Sequence, residues 1–387
     1  MNRLNVLSVF GTRPEATKMA PLVKALEKQK PLINSKVLVT AQHREMLDQV
    51  LADFGIKADY DLDVMRENQT LAETTQRVLA GLTPILQAER PDVVLIHGDT
   101  VTTASAALAA YYLRIPCGHV EAGLRTGDKY APFPEEIMRK IADAISDIHF
   151  APTELSKRNL LREGLSEESI FVTGNTAVDA LLMTVRPDYV FKDERLNRID
   201  FGASCRNILV EVHRRENFGQ GMEDVGAALA EIARSREDVR LLVSVHKNPN
   251  AREPILRHLS GAPRTVLFDP VDYPDYVNLM DRCYLVVTDS GGAQEEAPTL
   301  GAPVVLCREK TERPEALASG TVVLVGTDRT LIVKTVFDLL DNKERYEGMS
   351  KAANPFGDGR ASERTVQALL YWFGLSCERP KDFRQTM

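Results

Sequence analysis

The sequence predicts an α/β protein made of two doubly wound, Rossmann-like domains, and three observations predict it. Short apolar runs alternate with stretches of helical periodicity, the pattern of parallel strands joined by crossover helices. The series runs twice, on either side of a looser stretch, Thr184–Ala203, where charges and Pro187 interrupt any sustained period. A chain of 387 residues is too long for one ordinary core and long enough for two.

The first series opens with a buried strand at Leu4–Phe10 and a helix over Ala16–Lys28. Lys36–Thr40 reads as the second strand. Asp92–His97, introduced by Pro91, reads as the third, with the alanine-rich helix Thr102–Tyr112 behind it. Ile115–Val120, Ile148–Ala151 and Ile170–Thr173 complete the set. The second series runs through Asn207–Val212, Leu241–Val245, Thr265–Phe268, Leu285–Thr288, Pro303–Cys307 and Thr321–Val325. A last helix, Arg364–Trp372, follows the Gly/Asn/Pro-rich stretch Asn354–Gly359 and is expected to pack back on the first domain. The expected division is therefore 1–173 with 364–387, and 174–363.

Composition narrows the function classes. A formal net charge of −7 leaves no broad basic surface for nucleic acid, so a bound anion must meet a local site. No run approaches the roughly 20 apolar residues of a membrane span. Arg13, Glu15 and Lys18 interrupt any secretory apolar core near the start. The five cysteines are scattered singly, with neither zinc spacing nor a disulfide framework, which points to a reducing, cytoplasmic setting and no metal.

In doubly wound sheets ligands bind beyond the carboxyl ends of the strands. The first strand is followed by Gly11-Thr12-Arg13-Pro14-Glu15 and Lys18, either an anion-facing turn or a tight turn with solvated charges. Neither a dinucleotide fingerprint nor a Walker loop is present. His97-Gly98-Asp99-Thr100 follows the third strand, where an aspartate can be a base, a positioning carboxylate or a helix cap. After the fourth come His119 to Arg125, the loop Thr126–Pro134 and the pair Glu135-Glu136. Asp99, Glu121 and Glu135 would converge at one sheet edge, and clustered carboxylates raise one another's pKa, which favours a functional reading. In the second half, His213 stands beside Arg214 and Arg215. Ser290-Gly291-Gly292 opens a helix whose N–H groups suit an anion, with Glu296 one turn on to take a pair of hydroxyls. Arg308, Lys310 and Arg313 make a further basic loop.

Taken together, these motifs resemble the non-hydrolysing UDP-N-acetylglucosamine 2-epimerases. The resemblance runs over nearly the whole chain, from Gly11–Glu15 through Thr40–Arg44, His97–Thr100, His119–Asp128, Pro134–Glu136, Gly174–Thr176, His213–Asn217, Asp289–Ala297 and Thr311–Glu315 to Asn354–Gly359. It implies two domains facing each other across a cleft, as in GT-B glycosyltransferases, a homodimer and no cofactor; with acids in one half and the diphosphate grip in the other, domain closure is expected during the reaction. It implies that Asp99, Glu121, Glu135 and His213 are catalytic. It places a UDP-N-acetylhexosamine substrate on Arg13, Lys18, Arg139, Phe268, Ser290, Gly291, Gly292, Glu296 and Arg313. It also implies a second UDP-N-acetylglucosamine as activator near Gln42, His43, Arg66 and His246.

Three positions depart from the family's pattern: Glu211 before the His213 motif, Ser244 before Val245-His246, and Met138 after the acidic pair. Glu211 is expected to influence His213, and Ser244 bears on the activator site. The alternatives are a UDP-sugar-dependent glycosyltransferase, a 2-epimerase for a related UDP-hexosamine, a hydrolysing epimerase and a UDP-sugar sensor without turnover.

Overall fold

The structure, a computed structural model, describes residues 3–41, 44–66, 69–202 and 205–384, with the backbone alone for 44–46. The chain divides into two compact units. The first holds the residues up to Met183 together with Phe356–Arg384, and the second holds Thr184–Pro355.

The first unit contains a parallel seven-stranded sheet: β1 Leu4–Phe10, β2 Ile33–Val39, β3 Tyr60–Asp61, β4 Val93–His97, β5 Cys117–Val120, β6 Ile148–Ala151 and β7 Ile170–Val172. Its order is β3-β2-β1-β4-β5-β6-β7, which reverses between β1 and β4. Both faces are covered. Val6 and Phe10 of β1 pack under the helices Arg13–Lys28 and Ala361–Trp372, while Leu7 and Val9 pack under Leu71–Glu89 and Val101–Tyr112. A strand buried on both sides has no polar alternation, so it reads as a continuous apolar run.

The second unit repeats the plan with six strands: β8 Arg206–Glu211, β9 Val239–Ser244, β10 Thr265–Phe268, β11 Leu285–Thr288, β12 Val304–Leu306 and β13 Val322–Leu324. Their order, β10-β9-β8-β11-β12-β13, reverses between β8 and β11. Each reversal is a crevice at which the flanking loops diverge, the usual place for a ligand in such sheets.

The final helix, Ala361–Trp372, does return to the first unit. Val366, Leu369 and Leu370 enter the core formed by Leu4, Val6 and Leu22. Its start is held by the buried Asp179, which accepts from the N–H groups of Ala361 (3.1 Å) and Ser362 (2.7 Å). A carboxylate there meets both orphan donors and the positive end of the helix dipole. Gly357 packs against Val178, and the helix Thr176–Thr184 lies with the first unit as far as Met183, beyond the boundary expected at 173.

The sequence reading left out β3 and the helices Arg44–Asp53 and Leu71–Glu89. The helix Leu71–Glu89 fully buries Thr74, Val78, Leu82 and Leu86 and packs Leu79 and Ile85 against the same core.

Candidate active site

At the crevice of the first unit, Gly11 follows β1 in close contact with its neighbours. A Cβ there would lie 1.9 Å from the Thr40 hydroxyl, which is itself hydrogen-bonded to Thr102. Thr12 then caps the helix Arg13–Lys28, and Glu15 completes a capping box. Glu15 does more than cap. Its carboxylate accepts from the N–H groups of Gly11 (3.0 Å) and Thr12 (2.7 Å) and from the hydroxyls of Thr100 (2.7 Å) and Thr103 (3.1 Å). It ties the loop after β1 to the loop after β4. Burial raises its pKa, and the hydrogen bonds from Thr100, Gly11 and Thr12 pull the other way.

The carboxylates expected to converge do share the carboxyl edge of this sheet. Asp99 follows β4 and is ion-paired with Arg139, whose other nitrogen reaches Glu136 at 3.3 Å. Glu121 follows β5 in a left-handed conformation, φ 69°, which costs a non-glycine residue roughly 1–3 kcal/mol. Its Oε2 is ion-paired with Lys18 and accepts from the Asn175 amide at 2.8 Å. Burial alone would raise this carboxyl, but the Lys18 ammonium outweighs burial and holds it low. Glu135 begins the helix Glu135–Ile145, and its Oε2 is buried with no hydrogen-bond partner among the described residues. Glu136 is fully buried and accepts from the N–H groups of Thr126 and Gly127, both at 3.1 Å, which secures the loop in front of Glu135. His97, at the end of β4, is 3% exposed, 4.0 Å from Glu121, and has neither ring nitrogen hydrogen-bonded among the described residues. Burial pushes its pKa down to about 3, so the ring is neutral.

In the second unit one acid organises the crevice. Asp289 follows β11, fully buried, and accepts from the N–H groups of His213 (2.9 Å) and Arg214 (2.8 Å) and from the Asn217 amide (2.9 Å). The His213 ring stacks on His246 at 5.0 Å between centroids. Burial, then the neighbouring His213, lowers the pKa of His246. Ser290 precedes the helix Gly291–Glu296, and among the described residues its hydroxyl caps none of the helix N–H groups. Arg313 lies over Gly291, where a Cβ would come within 2.7 Å of its guanidinium, and is ion-paired with Glu295 and Glu312. Glu312 also pairs with Arg308. Burial opposes its charge, but Arg313 and Arg308 prevail and hold its pKa down to about 2. Glu296 accepts from the Tyr273 hydroxyl at 3.1 Å.

The remaining expected residues fall in varied places. Arg13 sits half-buried in the first turn of its helix. Lys18 and Arg139, expected to meet a ligand, are engaged by Glu121 and Asp99. Phe268 is 2% exposed, so its ring lies in the core. Arg66 donates to the Asp63 carbonyl and is more than half exposed. Gln42 and His43 lie outside the described residues. Glu211 does not make an ion pair with His213 among the described residues; its carboxylate accepts from the Tyr276 hydroxyl at 2.7 Å. Sequence reasoning did not single out Asp143 or Tyr276, and it named Asn175 only within the Gly174–Thr176 motif, without a role. Only Asn175 had a local signal, as the polar residue between the strand end at β7 and a helix start. Among the described residues no His/Cys/Asp/Glu cluster is suited to a metal, and no helix is long and apolar enough to cross a membrane.

Known proteins place this geometry. A sequence profile for a family described as UDP-N-acetylglucosamine 2-epimerase matches residues 24–370. The chain is 53% identical over 373 residues to the UDP-N-acetylglucosamine 2-epimerase of Escherichia coli (strain K12), covering 95% of this chain and 98% of that one. It is 49% identical over 383 residues to the Bacillus subtilis (strain 168) enzyme of that name, covering 99% of each. A crystal structure of UDP-GlcNAc 2-epimerase from Neisseria meningitidis bound to UDP-GlcNAc superposes with a TM-score of 0.86 at 46% identity, covering 95% of this chain and all of that one.

Proposed function

Because the chain belongs to the UDP-N-acetylglucosamine 2-epimerase family, we propose that it interconverts UDP-N-acetylglucosamine and UDP-N-acetylmannosamine by eliminating UDP and adding it back. The C2 proton has no adjacent carbonyl, so direct abstraction is steeply uphill, whereas the diphosphate at C1 is a good leaving group. The C1–O bond breaks and its electron pair leaves with UDP. A carboxylate takes the C2 proton, and the C1–C2 double bond of 2-acetamidoglucal forms. A second acid returns a proton to the opposite face of C2 as the diphosphate oxygen bonds again to C1.

The observation that carries this reading is the set of acids at the first crevice. Asp99 and Glu121 are ion-paired with Arg139 and Lys18, and Glu135 keeps a buried oxygen without a partner among the described residues. Carboxylates in two electrostatic settings suit proton removal on one face and proton delivery on the other, and they stabilise oxocarbenium character at the ring. We assign the proton transfers to Asp99, Glu121 and Glu135. We assign the diphosphate to His213, Arg13, Arg313 and the N–H groups of Ser290, Gly291 and Gly292. Glu296 takes the ribose hydroxyls, and the Phe268 main chain the uracil. Arg139 and Lys18 reach the substrate from their carboxylate partners.

The test uses UDP-N-acetylglucosamine alone in heavy water. Both product and recovered substrate should carry deuterium at C2, and a bridging ¹⁸O label should scramble. Turnover without C2 exchange, or a requirement for an acceptor sugar, rejects the reading.

Three finer points belong to the same proposal. A second UDP-N-acetylglucosamine acts as activator near Arg66 and His246; it predicts a sigmoidal substrate dependence that Arg66→Ala makes hyperbolic. The enzyme is a homodimer, supported by the exposed apolar residues Ile137 and Ile141 on one helix and Tyr111 and Tyr112 on the helix packed beside it. Light scattering should report twice the chain mass, and Ile141→Glu should halve it. The enzyme works in the cytoplasm, where the buried thiols Cys117 and Cys307 stay reduced.

A further inference from the structure

Behind the acids of the first unit lies a buried ionic network for which the proposed chemistry has no direct use. His119, on β5, is fully buried. Its Nδ1 meets the Asp143 carboxylate at 2.6 Å, and its Nε2 meets the carbonyl oxygen of Gly98 at 2.7 Å. Both ring nitrogens therefore face acceptors, and the ring serves both when each nitrogen carries a proton. Asp143, from the helix Glu135–Ile145, is also fully buried. Its second oxygen accepts from the N–H of Gly123 at 3.2 Å and from Arg125 at 2.8 Å. Arg125 is closed off by Glu163 at 2.6 Å. The Asp143 carbonyl accepts in turn from His149 at 2.9 Å, so the residue is held from main chain and side chain alike.

The network touches main-chain atoms at two places that matter. Gly98 immediately precedes Asp99, and Gly123 lies two residues after Glu121. Both glycines have positive φ, 70° and 87°, so each loop turns away from its strand just where the sheet bonds end, at the Gly98 N–H to Val120 carbonyl bond (3.0 Å) and the Ala122 N–H to Phe150 carbonyl bond (3.1 Å). Gly123 is also pressed against the Ser156 carbonyl, where a Cβ would come to 2.4 Å. A catalytic acid on such a loop is only as well placed as the atoms that brace it, and a misplacement of about 1 Å costs on the order of 100-fold in rate.

We infer that His119 and Asp143 form a positioning pair for the reaction, setting the loops of Asp99 and Glu121 in register with each other from behind the sheet edge. The inference rests on the assignment of Asp99 and Glu121 as proton-transfer residues. His119 touches no reacting atom; it acts on Asp99 through the Gly98 carbonyl, and Asp143 acts on Glu121 through the Gly123 N–H.

Two isosteric replacements separate the halves of the pair. Asparagine places an amide near the Nδ1 position, so His119→Asn keeps the bond to Asp143 and drops the one to Gly98. Glutamine reaches the Nε2 position, so His119→Gln keeps Gly98 and drops Asp143. Steady-state kinetics at temperatures well below each variant's melting point should show kcat of His119→Asn reduced about 100-fold with KM within about threefold. His119→Gln should recover at least about tenfold of that loss. Equal losses in the two variants, a loss carried by KM, or full activity of His119→Asn overturns the inference. If either variant fails to fold, Asp143→Asn takes its place. It keeps the shape and loses the charge that Gly123 and Arg125 use, and it should show the same fall in kcat at constant KM. Asp99→Asn run alongside keeps the two proposals apart. An active Asp99→Asn defeats the assignment of the acids, whereas an inactive Asp99→Asn beside a fully active His119→Asn defeats the positioning pair alone.

Discussion

The two crevices solve one problem with the same means and then part ways. Each must hold two loops that diverge at a strand-order reversal, and each does so with a single buried carboxylate. In the first unit Glu15, on the helix after β1, reaches the loop after β4 through Thr100 and Thr103. In the second unit Asp289, just after β11, reaches back to the loop after β8 through His213 and Arg214. A carboxylate suits this task because it accepts several N–H or O–H donors at once, and buried donors left unmet are costly. What surrounds the two braces is opposite in character. The first crevice adds Asp99, Glu121 and Glu135, two of them charge-paired. The second adds His213, Arg214, Arg308 and Arg313 beside the opening of a glycine-started helix. In the proposed function, what stands beyond the brace divides a common scaffold between proton transfer and anion binding.

The sharpest way to break this comparison is at the acids. Asp99→Asn and Glu121→Gln should each lower kcat by roughly 10²–10⁴-fold while UDP affinity, read by titration calorimetry, stays within about threefold. If UDP binding collapses instead, the division of labour between the units fails.

A smaller effect is expected at the braces. Asp289→Ala leaves the His213 and Arg214 N–H groups and the Asn217 amide without their acceptor, and should cost about 3 kcal/mol in urea unfolding of the second unit. Its fold and UDP affinity should fall together, whereas Glu15→Ala should destabilise the first unit and lower UDP affinity by less, through Arg13 alone.

His97 provides a pH-dependent test of comparable size, confined to the first unit. Its folded pKa of about 3 lies below the ordinary 6.5, so below pH 6.5 the unfolded chain binds a proton that the folded one does not. Stability should therefore decline by a few kcal/mol as pH falls from 6.5 toward 3. His97→Phe should flatten that decline, as measured by urea midpoints at a series of pH values. A wild-type curve already flat over that range would contradict a buried neutral ring.

The smallest effect is expected at Gly291. A Cβ at this position meets the far ends of two side chains, the Arg313 guanidinium at 2.7 Å and the Glu312 carboxylate at 3.1 Å, so the fold should tolerate Gly291→Ala with a loss under about 1 kcal/mol. The displaced guanidinium should weaken UDP binding about tenfold, worth about 1.4 kcal/mol. Unchanged affinity would remove Arg313 from the proposed UDP site.

Much of this was legible before any coordinates. Because the strands are buried on both faces, their apolar runs stand out, and the strand ends locate Asp99, Glu121, His213 and Ser290 directly. The illegible parts share a cause. The two-residue β3 has no pattern of its own. Lys18 and Arg139 look like free cations awaiting an anion, but their partners Glu121 and Asp99 are 103 and 40 positions away. Glu211, which looked placed to influence His213, is taken up by Tyr276, 65 positions along.

The sequence by itself determined the layers and the chemical inventory: two series of buried strands, acids at the strand ends of one, and a histidine, arginines and a glycine-started helix at those of the other. Those follow from local periodicity and from residues adjacent in the chain. Only the tertiary structure decided which charged groups are braces and which are available for chemistry. Glu15, Asp143 and Asp289 resemble the other acids in sequence, yet each is occupied by buried donors that crossover connections bring from distant strands. Sheet order sets those partners, and no spacing within one segment records it.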